Sequence, residues 1–396
     1  MHRKVPVRFG PGAARKRACT TGTSPAAYRC FFVLEACGLA VQLVNAAQAR
    51  NLPGRPKTDK LDAQWLARLT EMGLLRASFV PPKAIRDLRD YTRARTRLVQ
   101  ERTRCWQWLE KLLESALVKV SSVASKLTTE SARDMVKAMI AGQRDPRTLA
   151  ALARGRMKAR HDDLVEALDG MFDDHHGELA QMLLDQIAFC DTRIGQLTAR
   201  ITGSVEAMPE AWGIDGDGTT GPDAGTGPDA AALPAVARLA EIPGISEDLA
   251  RSIIAETGLD MSRFPTAVHL VSWAGLCPSA RQSGPRTRNG KKGQGNGYLR
   301  GSLGQAAIGA ARTNTFPGER YWRIARRRGK AKAQVAVARS ILVSIWHLLA
   351  DPAARFTDLG PGYYQARTDK NRRIRNHIRQ IEALLGHPIT ITSEAA

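Results

Sequence analysis

LRDYTRARTRLVQERTRCWQWLEKLLESA, residues 88 to 116, sets the class of the fold. Leu88, Tyr91, Leu98, Cys105, Leu109, Leu112 and Ala116 fall on a heptad seam, which predicts a long helix after Pro81-Pro82. Arg95 and Arg102 intrude at core positions of that seam. Between Arg86 and Arg104 there are seven arginines against three acids. Such a helix can lay one face on phosphates and pack with the other, with Arg93, Arg95 and Arg97 as the candidate contacts. A solvated helix face is the plainer alternative, and the bias of sign weighs against it. Trp106 and Trp108 suit base stacking, but core packing is the better reading. A second helical segment, 160 to 202, carries the seam Leu183, Ile187, Cys190, Ile194, Leu197 and Ile201. The two segments predict an antiparallel coiled coil or a dimer contact.

Working outward, the whole chain has 396 residues, room for two or three domains. Its 59 lysines and arginines against 38 acids give a net charge of +21, spread along the chain. That excess predicts a polyanionic partner, most often nucleic acid. No apolar run reads as reaching the roughly 18 residues a bilayer span needs, and the basic N-terminus lacks the apolar core of a signal peptide. The six cysteines form no CxxC pair and read as buried thiols of a reducing cytosol. Together these features predict a cytoplasmic nucleic-acid protein with no membrane partner.

Residues 1–25 lack periodicity and read as a disordered arm. AAYRCFFVLEACG then predicts a short helix ending at Gly38, and LAVQLVNA a buried strand. In TDKLDAQWLARLTEMGLL, residues 58 to 75, Leu61, Trp65 and Leu69 recur at helical spacing, with Ala63 and Leu66 on the same face. Asp59 and Asp62 lie three apart at the helix start, so both project from one side of its first turn. Two such carboxylates are what a magnesium ion takes from a protein. The alternative is capping, with Asp59 as N-cap and Asp62 at the positive helix end. His175 and His176, beside Asp173 and Asp174, offer a metal site or, better, a surface bend. GIDGDGTTGPDAGTGPDAAA reads as a flexible linker.

LAEIPGISEDLARSIIAETG approaches a helix-hairpin-helix. There the amides of Pro243-Gly244-Ile245-Ser246 and the next helix N-terminus would hold a phosphate; Ser246 stands where that pattern has its second glycine. Residues 275 to 303, GLCPSARQSGPRTRNGKKGQGNGYLRGSL, place Ser283 in a flexible loop with Arg286, Arg288, Lys291 and Lys292, before a helix near Tyr298. A serine hydroxyl among cations suits attack on a phosphodiester, the cations absorbing charge that develops on phosphoryl oxygen. A phosphate-gripping loop with an incidental serine is the alternative. ARTNTFPGERYWRIARRRGKAKAQVAVARSILVSIWHLL adds a basic cluster and an apolar helix, and the tail after Asp358 reads as peripheral.

PGRPKTDKLDAQWLARL, LLRASFVPPKAIRDLRDYTR, EIPGISEDLARSIIAETG, MSRFPTAVHLVSWAGLCP and the GNGYLR turn, occurring in that order, resemble one family. It is the insertion-sequence transposases that pair an acidic DEDD domain with a separate serine domain, the "IS one-ten" family, guided by a bridge RNA. The resemblance implies a mainly α chain with a partial α/β, RNase H-like (Holliday-junction-resolvase-like) N-terminal domain. It adds a coiled-coil middle and an α-helical serine domain with the helix-hairpin-helix. The expected divisions are an arm over 1–25, the acidic domain over 26–85, helical and coiled-coil residues 86–210, a linker over 211–232, the serine domain over 233–350 and a basic tail over 351–396. It also implies that Asp59 and Asp62 close the acidic set and hold Mg2+, and that Ser283 is the nucleophile that links to DNA. DNA, a guide RNA and further copies of the chain are the implied partners. The family's first aspartate lies on an N-terminal strand that is not legible here, and Cys19 stands near the place of its glutamate. That departure reads as a 5′-truncated or frame-disturbed element with an inactive remnant as its product, or as a mis-called start codon with the missing strands encoded upstream.

Overall fold

The computed structural model describes residues 4–6, 25–44, 58–75, 77–124, 126–213, 233–277, 280–284, 286–289, 295–366 and 370–388. The chain divides into two units, one of Lys83–Met208 and one of Met1–Pro82 with Pro209–Ala396. Both are mainly helical, in keeping with the seams in the sequence.

The second of these begins with a short parallel pair, β1 (Lys4–Pro6) and β2 (Ala40–Gln42), in the register Lys4↔Ala40 to Pro6↔Gln42. Helix α1 (Pro25–Ala36) lies between them in the chain, and Gly38 at φ 75 follows its end. The expected disordered arm is therefore corrected at Lys4–Pro6. Those three residues alternate little and carry no sequence signal, because a strand this short is specified by its neighbour. Phe31 and Leu43 are buried in this layer, with Tyr28, Val41 and Val80 packed against them. Val44 bridges Ala77, and the Ser78 amide donates to Leu43 O at 2.6 Å. Beside this pairing, Phe79 lies within a three-ring cluster with Phe264 and Trp273, at centroid distances of 5.3–5.6 Å. Helix α2 (Asp59–Glu71) precedes that segment.

The Lys83–Met208 unit is built on two 33-residue helices, α3 (Lys83–Ser115) and α7 (Asp174–Glu206). They run antiparallel. Arg95 Nε donates to Thr198 Oγ1 at 2.8 Å, and Arg102 pairs with Asp191 at 2.6 Å. Seven residues forward on one helix are seven back on the other. Leu88, Cys105, Leu109 and Leu113 of α3 are buried, as are Ile187, Cys190, Ile194, Ile201 and Val205 of α7. The two arginines occupy the stretch of α3 between Thr92 and Cys105 that buries no side chain completely. Between the long helices lie α4 (Glu130–Ile140), α5 (Pro146–Ala150) and α6 (His161–Leu168). Thr129 caps α4, accepting from Ala132 N, and Asp145 caps α5, accepting from Arg147 N and Thr148 N ahead of a proline in its first turn. The single helix expected over 160–202 is two helices. Asp173 caps the second by accepting from His176 N at 2.9 Å.

The C-terminal part of the other unit packs α8 (Ala235–Ala240), α10 (Ala267–Trp273), α11 (Gly297–Ala310) and α12 (Phe316–Arg328) around α13 (Lys330–Ala350), with α9 (Glu247–Thr257) against α8 and α11. An antiparallel hairpin, β3 (Ala280–Ser283) and β4 (Arg286–Asn289), stands between α10 and α11. Helix α13 is long and apolar enough to cross a membrane, contrary to the sequence reading. Its composition has another cause here, since Ala333, Val337, Ile341, Leu342, Ile345 and Leu348 are buried in the bundle. The buried Arg238 guanidinium donates to the carbonyls of Leu233, Leu348 and Asp351, so one side chain closes the C-terminal end of α13. Burial, partly offset by Asp351 and Glu241, lowers its pKa below the usual arginine value. An outer helix, α14 (Lys370–Leu385), exposes Ile374, Ile381 and Leu385. The proposed linker, from residue 214 onward, lies outside the described residues.

Candidate functional site

Helix α2 carries the acid pair, but not with the polarity that apolar spacing suggested. Thr58 is the N-cap, with φ −102 and ψ 148, and Asp59 is the first helical residue. The Asp62 amide donates to Thr58 O at 2.9 Å. Leu61 is exposed, whereas Asp62 is 4% exposed and Leu69 7%. The inward face therefore runs Asp62, Trp65 and Leu66, Leu69, one residue round from the predicted seam. A buried carboxylate is costly to desolvate and is not explained by the helix dipole alone. It marks Asp62 as a residue turned toward an interior role.

Ser283 is not in an irregular loop. It is the last residue of β3, opposite Arg286, with Gln282 opposite Thr287 and Arg281 opposite Arg288. Gly284, at φ 59, begins the turn between the strands. The sequence hid this hairpin because its strands have no apolar alternation, and ladder pairing rather than burial defines them. Lys291 and Lys292 lie outside the described residues.

The two ends of the segment that carries this hairpin meet closely. Gly295 has φ 42, and a Cβ there would lie 2.3 Å from Ala274 O and 2.8 Å from Gly275 N. Only glycine allows the returning chain to touch the departing one. Asn296, 4% exposed, follows as N-cap of α11. Its Oδ1 accepts from Tyr298 N at 3.1 Å and Leu299 N at 3.2 Å, while its Nδ2 donates to Glu256 Oε2 at 2.6 Å. Neither Glu256 nor Arg238 was found by sequence reasoning. The available signal was an acid closing the apolar run Ile253-Ile254-Ala255 at a helix C-terminus, where the dipole disfavours it.

The helix-hairpin-helix expectation changes in meaning. Gly244 has φ 92, and a Cβ there would lie 2.2 Å from Ala306 O and 2.5 Å from Ala310 N. This glycine permits contact with α11. Ser246 caps α9, accepting from Leu249 N at 3.4 Å, so its hydroxyl has a local role. Glu247 and Asp248 fill the first turn, both paired with Arg251 at 2.8 and 3.3 Å. A phosphate approaching that helix end would meet two carboxylates, which disfavours the phosphate grip assigned to Gly244 and Ser246.

Among the proposed phosphate contacts of α3, Arg95 is engaged with Thr198, Arg93 is half-buried and Arg97 is exposed. Trp106 is half-buried under Arg133, whose guanidinium lies 5.0 Å from the ring, and Trp108 is exposed. A stronger cationic surface lies where α12 meets α13. From Arg320 to Ala350 there are eight lysines and arginines and no acid, and Arg323, Arg326, Arg327, Arg328, Lys330 and Lys332 are exposed. Arg323 stacks on Tyr364 at 3.7 Å, and Arg320 donates to the Tyr364 hydroxyl at 2.7 Å.

Among the described residues no three His, Cys, Asp or Glu side chains assemble as a metal set. His176 meets its own cap residue Asp173. The described donors of α2 come from one helical turn, an incomplete set for magnesium, whose ligands are oxygens in octahedral array.

Two family models match the chain in order. A transposase model of the DEDD type named for IS110 matches residues 14–117, which include Asp59 and Asp62. The model described as the transposase IS116/IS110/IS902 family matches residues 236–323, which include Glu256, Ser283 and Asn296. No curated protein matches the chain.

Proposed function

The chain belongs to the IS110 family of transposases, and from that premise we propose that it cuts and rejoins DNA through Ser283. The transposase class implies a DNA substrate. The observation that carries the finer reading is the pairing of Ser283 with Arg286 beside the turn of a hairpin, within a segment whose ends meet at Gly275 and Gly295. The register sets Ser283 opposite Arg286 and Arg281 opposite Arg288. In the first step the Ser283 oxygen bonds to the phosphorus of a phosphodiester and its proton leaves to a base. The bond from phosphorus to one deoxyribose oxygen breaks, and that oxygen takes up a proton. Arg286 and Arg288, with Lys291 and Lys292, neutralise the charge gained by the phosphoryl oxygens. In the second step a hydroxyl of another strand end displaces the serine, restoring a phosphodiester.

Asp59 and Asp62 are the residues that would hold Mg2+, which when bound polarises a phosphate; the remaining ligands would come from elsewhere. A guide RNA and assembly of several copies complete this reading, and the exposed cations of α12 and α13 suit the phosphate backbone of the nucleic acid. A second reading, a non-catalytic nucleic-acid-binding remnant, is favoured by the incomplete acid set. Covalent trapping separates the two. Full-length protein with guide RNA, Mg2+ and a suicide DNA substrate is expected to give a protein–DNA adduct that Ser283→Ala abolishes while salt-sensitive binding persists. Binding without an adduct in the unaltered protein would support the remnant, and an adduct in Ser283→Ala would refute the nucleophile.

A further inference from the structure

Glu256 stands in the last turn of α9, where a carboxylate faces the negative end of the helix, and it is 2% exposed. A carboxyl withdrawn from water is costly unless it is hydrogen-bonded. A residue so placed needs donors, and Asn296 supplies one from 40 residues away at 2.6 Å. Asn296 uses both ends of its side chain. Its oxygen caps α11 through Tyr298 N and Leu299 N, leaving its amide group for Glu256. Directly before it, Gly295 rests on the backbone of Ala274 and Gly275. Residues 275 and 295 are the two ends of the segment that carries β3, β4 and Ser283. The Glu256–Asn296 bond thus ties the returning end of that segment to α9, at the point where the segment closes.

We propose that Glu256 and Asn296 are positioning residues, a buried clamp on the closing end of the segment that carries the Ser283 hairpin, which sets where the serine is presented. The proposal rests on the reading of Ser283 as nucleophile. A strut that served stability alone could be loosened with little effect on chemistry. A clamp that sets the direction of attack cannot, since a displacement near 1 Å costs about 100-fold in rate.

The chemistry of the pair provides a test by reversal. Asn296→Asp keeps an excellent N-cap but sets a carboxylate against Glu256. Glu256→Gln retains an acceptor for Asn296. In the double variant the amide introduced at position 256 donates to the carboxylate introduced at position 296, so the bond is rebuilt with its polarity reversed. Single-turnover adduct formation, DNA affinity and thermal unfolding are measured for each full-length variant with guide RNA and Mg2+. Asn296→Asp is expected to slow adduct formation about 100-fold, with DNA affinity within about twofold of the unaltered protein. Glu256→Gln stays near the normal rate, and the double variant recovers to within about tenfold. If Asn296→Asp does not fold, Glu256→Ala, which leaves the α11 cap intact, is expected to show the same loss of rate.

Normal rates in Asn296→Asp or in Glu256→Ala would overturn the clamp, as would a folded double variant no faster than Asn296→Asp. Ser283→Ala, run alongside, distinguishes the two failures. An adduct in Ser283→Ala removes the nucleophile itself. Its loss there, with normal rates in the clamp variants, removes only the clamp.

Discussion

The paired helices α3 and α7 and the C-terminal helices α8 to α13 both bury polar groups, by different means. In the helical pair, the inserted arginines reach across one interface and remain partly solvated. Arg102 and Asp191 keep 34% and 38% of their side-chain surface. In the C-terminal helices, Arg238, Glu256 and Asn296 are withdrawn almost wholly and bind groups on other elements. The first arrangement tolerates adjustment, because water completes what the partner leaves unmet. The second is geometric, because a buried donor or acceptor left without its partner bears its full desolvation cost. Close contacts follow the same division. Large side chains fill the helical pair, whereas Gly244 and Gly295 let backbone meet backbone in the C-terminal helices.

The largest expected effect is at Gly244. Gly244→Ala would drive a Cβ into the Ala306 carbonyl at a left-handed φ, and is expected to destabilise the unit containing the C-terminal helices by about 4 kcal/mol. Calorimetry should show that unit's transition falling while that of Lys83–Met208 stays in place; equal shifts in both would break the comparison. Leu109→Ala acts the other way. It empties a fully buried seam position and should cost the helical pair about 3 kcal/mol, read by urea unfolding of the same protein. A smaller effect belongs to the seam ion pair. A double-mutant cycle with Arg102→Ala and Asp191→Ala is expected to give a coupling below about 1 kcal/mol, because both groups are more than a third exposed. A larger coupling would mean that the two regions treat charge alike.

The smallest concerns Glu241. Burial alone would push its carboxyl up, but Arg355, donating at 2.6 Å, and the Phe356 amide, at 3.0 Å, hold it below the usual carboxylate range. Its folded-state pKa is depressed, so its contribution is fully present above the unfolded value. That contribution is lost as pH falls from about 4.3 through the lower folded value. Melting temperature against pH, compared with Glu241→Gln, should show a shallower acid decline in the variant; parallel curves would remove the linkage.

The legible parts of the site were those with local signatures. Ser283 beside Gly284, the acid pair at a helix start and the seams of α3 and α7 are patterns of spacing, and spacing survives in one dimension. The inward turn of Asp62 was not legible, since Leu61 at helical spacing suggested a face that includes it, and only packing turned Leu61 outward and Asp62 inward. Nor was the hairpin, whose strands ARQS and RTRN show no alternation of apolar residues. Where the sequence suggested a helix-hairpin-helix, Gly244 touches α11 and Ser246 caps α9, contacts that spacing does not show.

By itself the sequence determined a mainly helical, strongly basic chain, the heptad seams, the positions of the acid pair and the serine, and the family resemblance that the matches at 14–117 and 236–323 uphold. Periodicity, charge and short motifs depend on residues within a few turns of one another. Tertiary structure alone decided that Asp62 faces inward, what closes α13 and which group pairs with Glu256. Those outcomes depend on partners far apart in the chain, 40 residues for Glu256 and Asn296 and 110 for Arg238 and Leu348. Pairing at such separations is selected by desolvation and close packing, which no local pattern encodes.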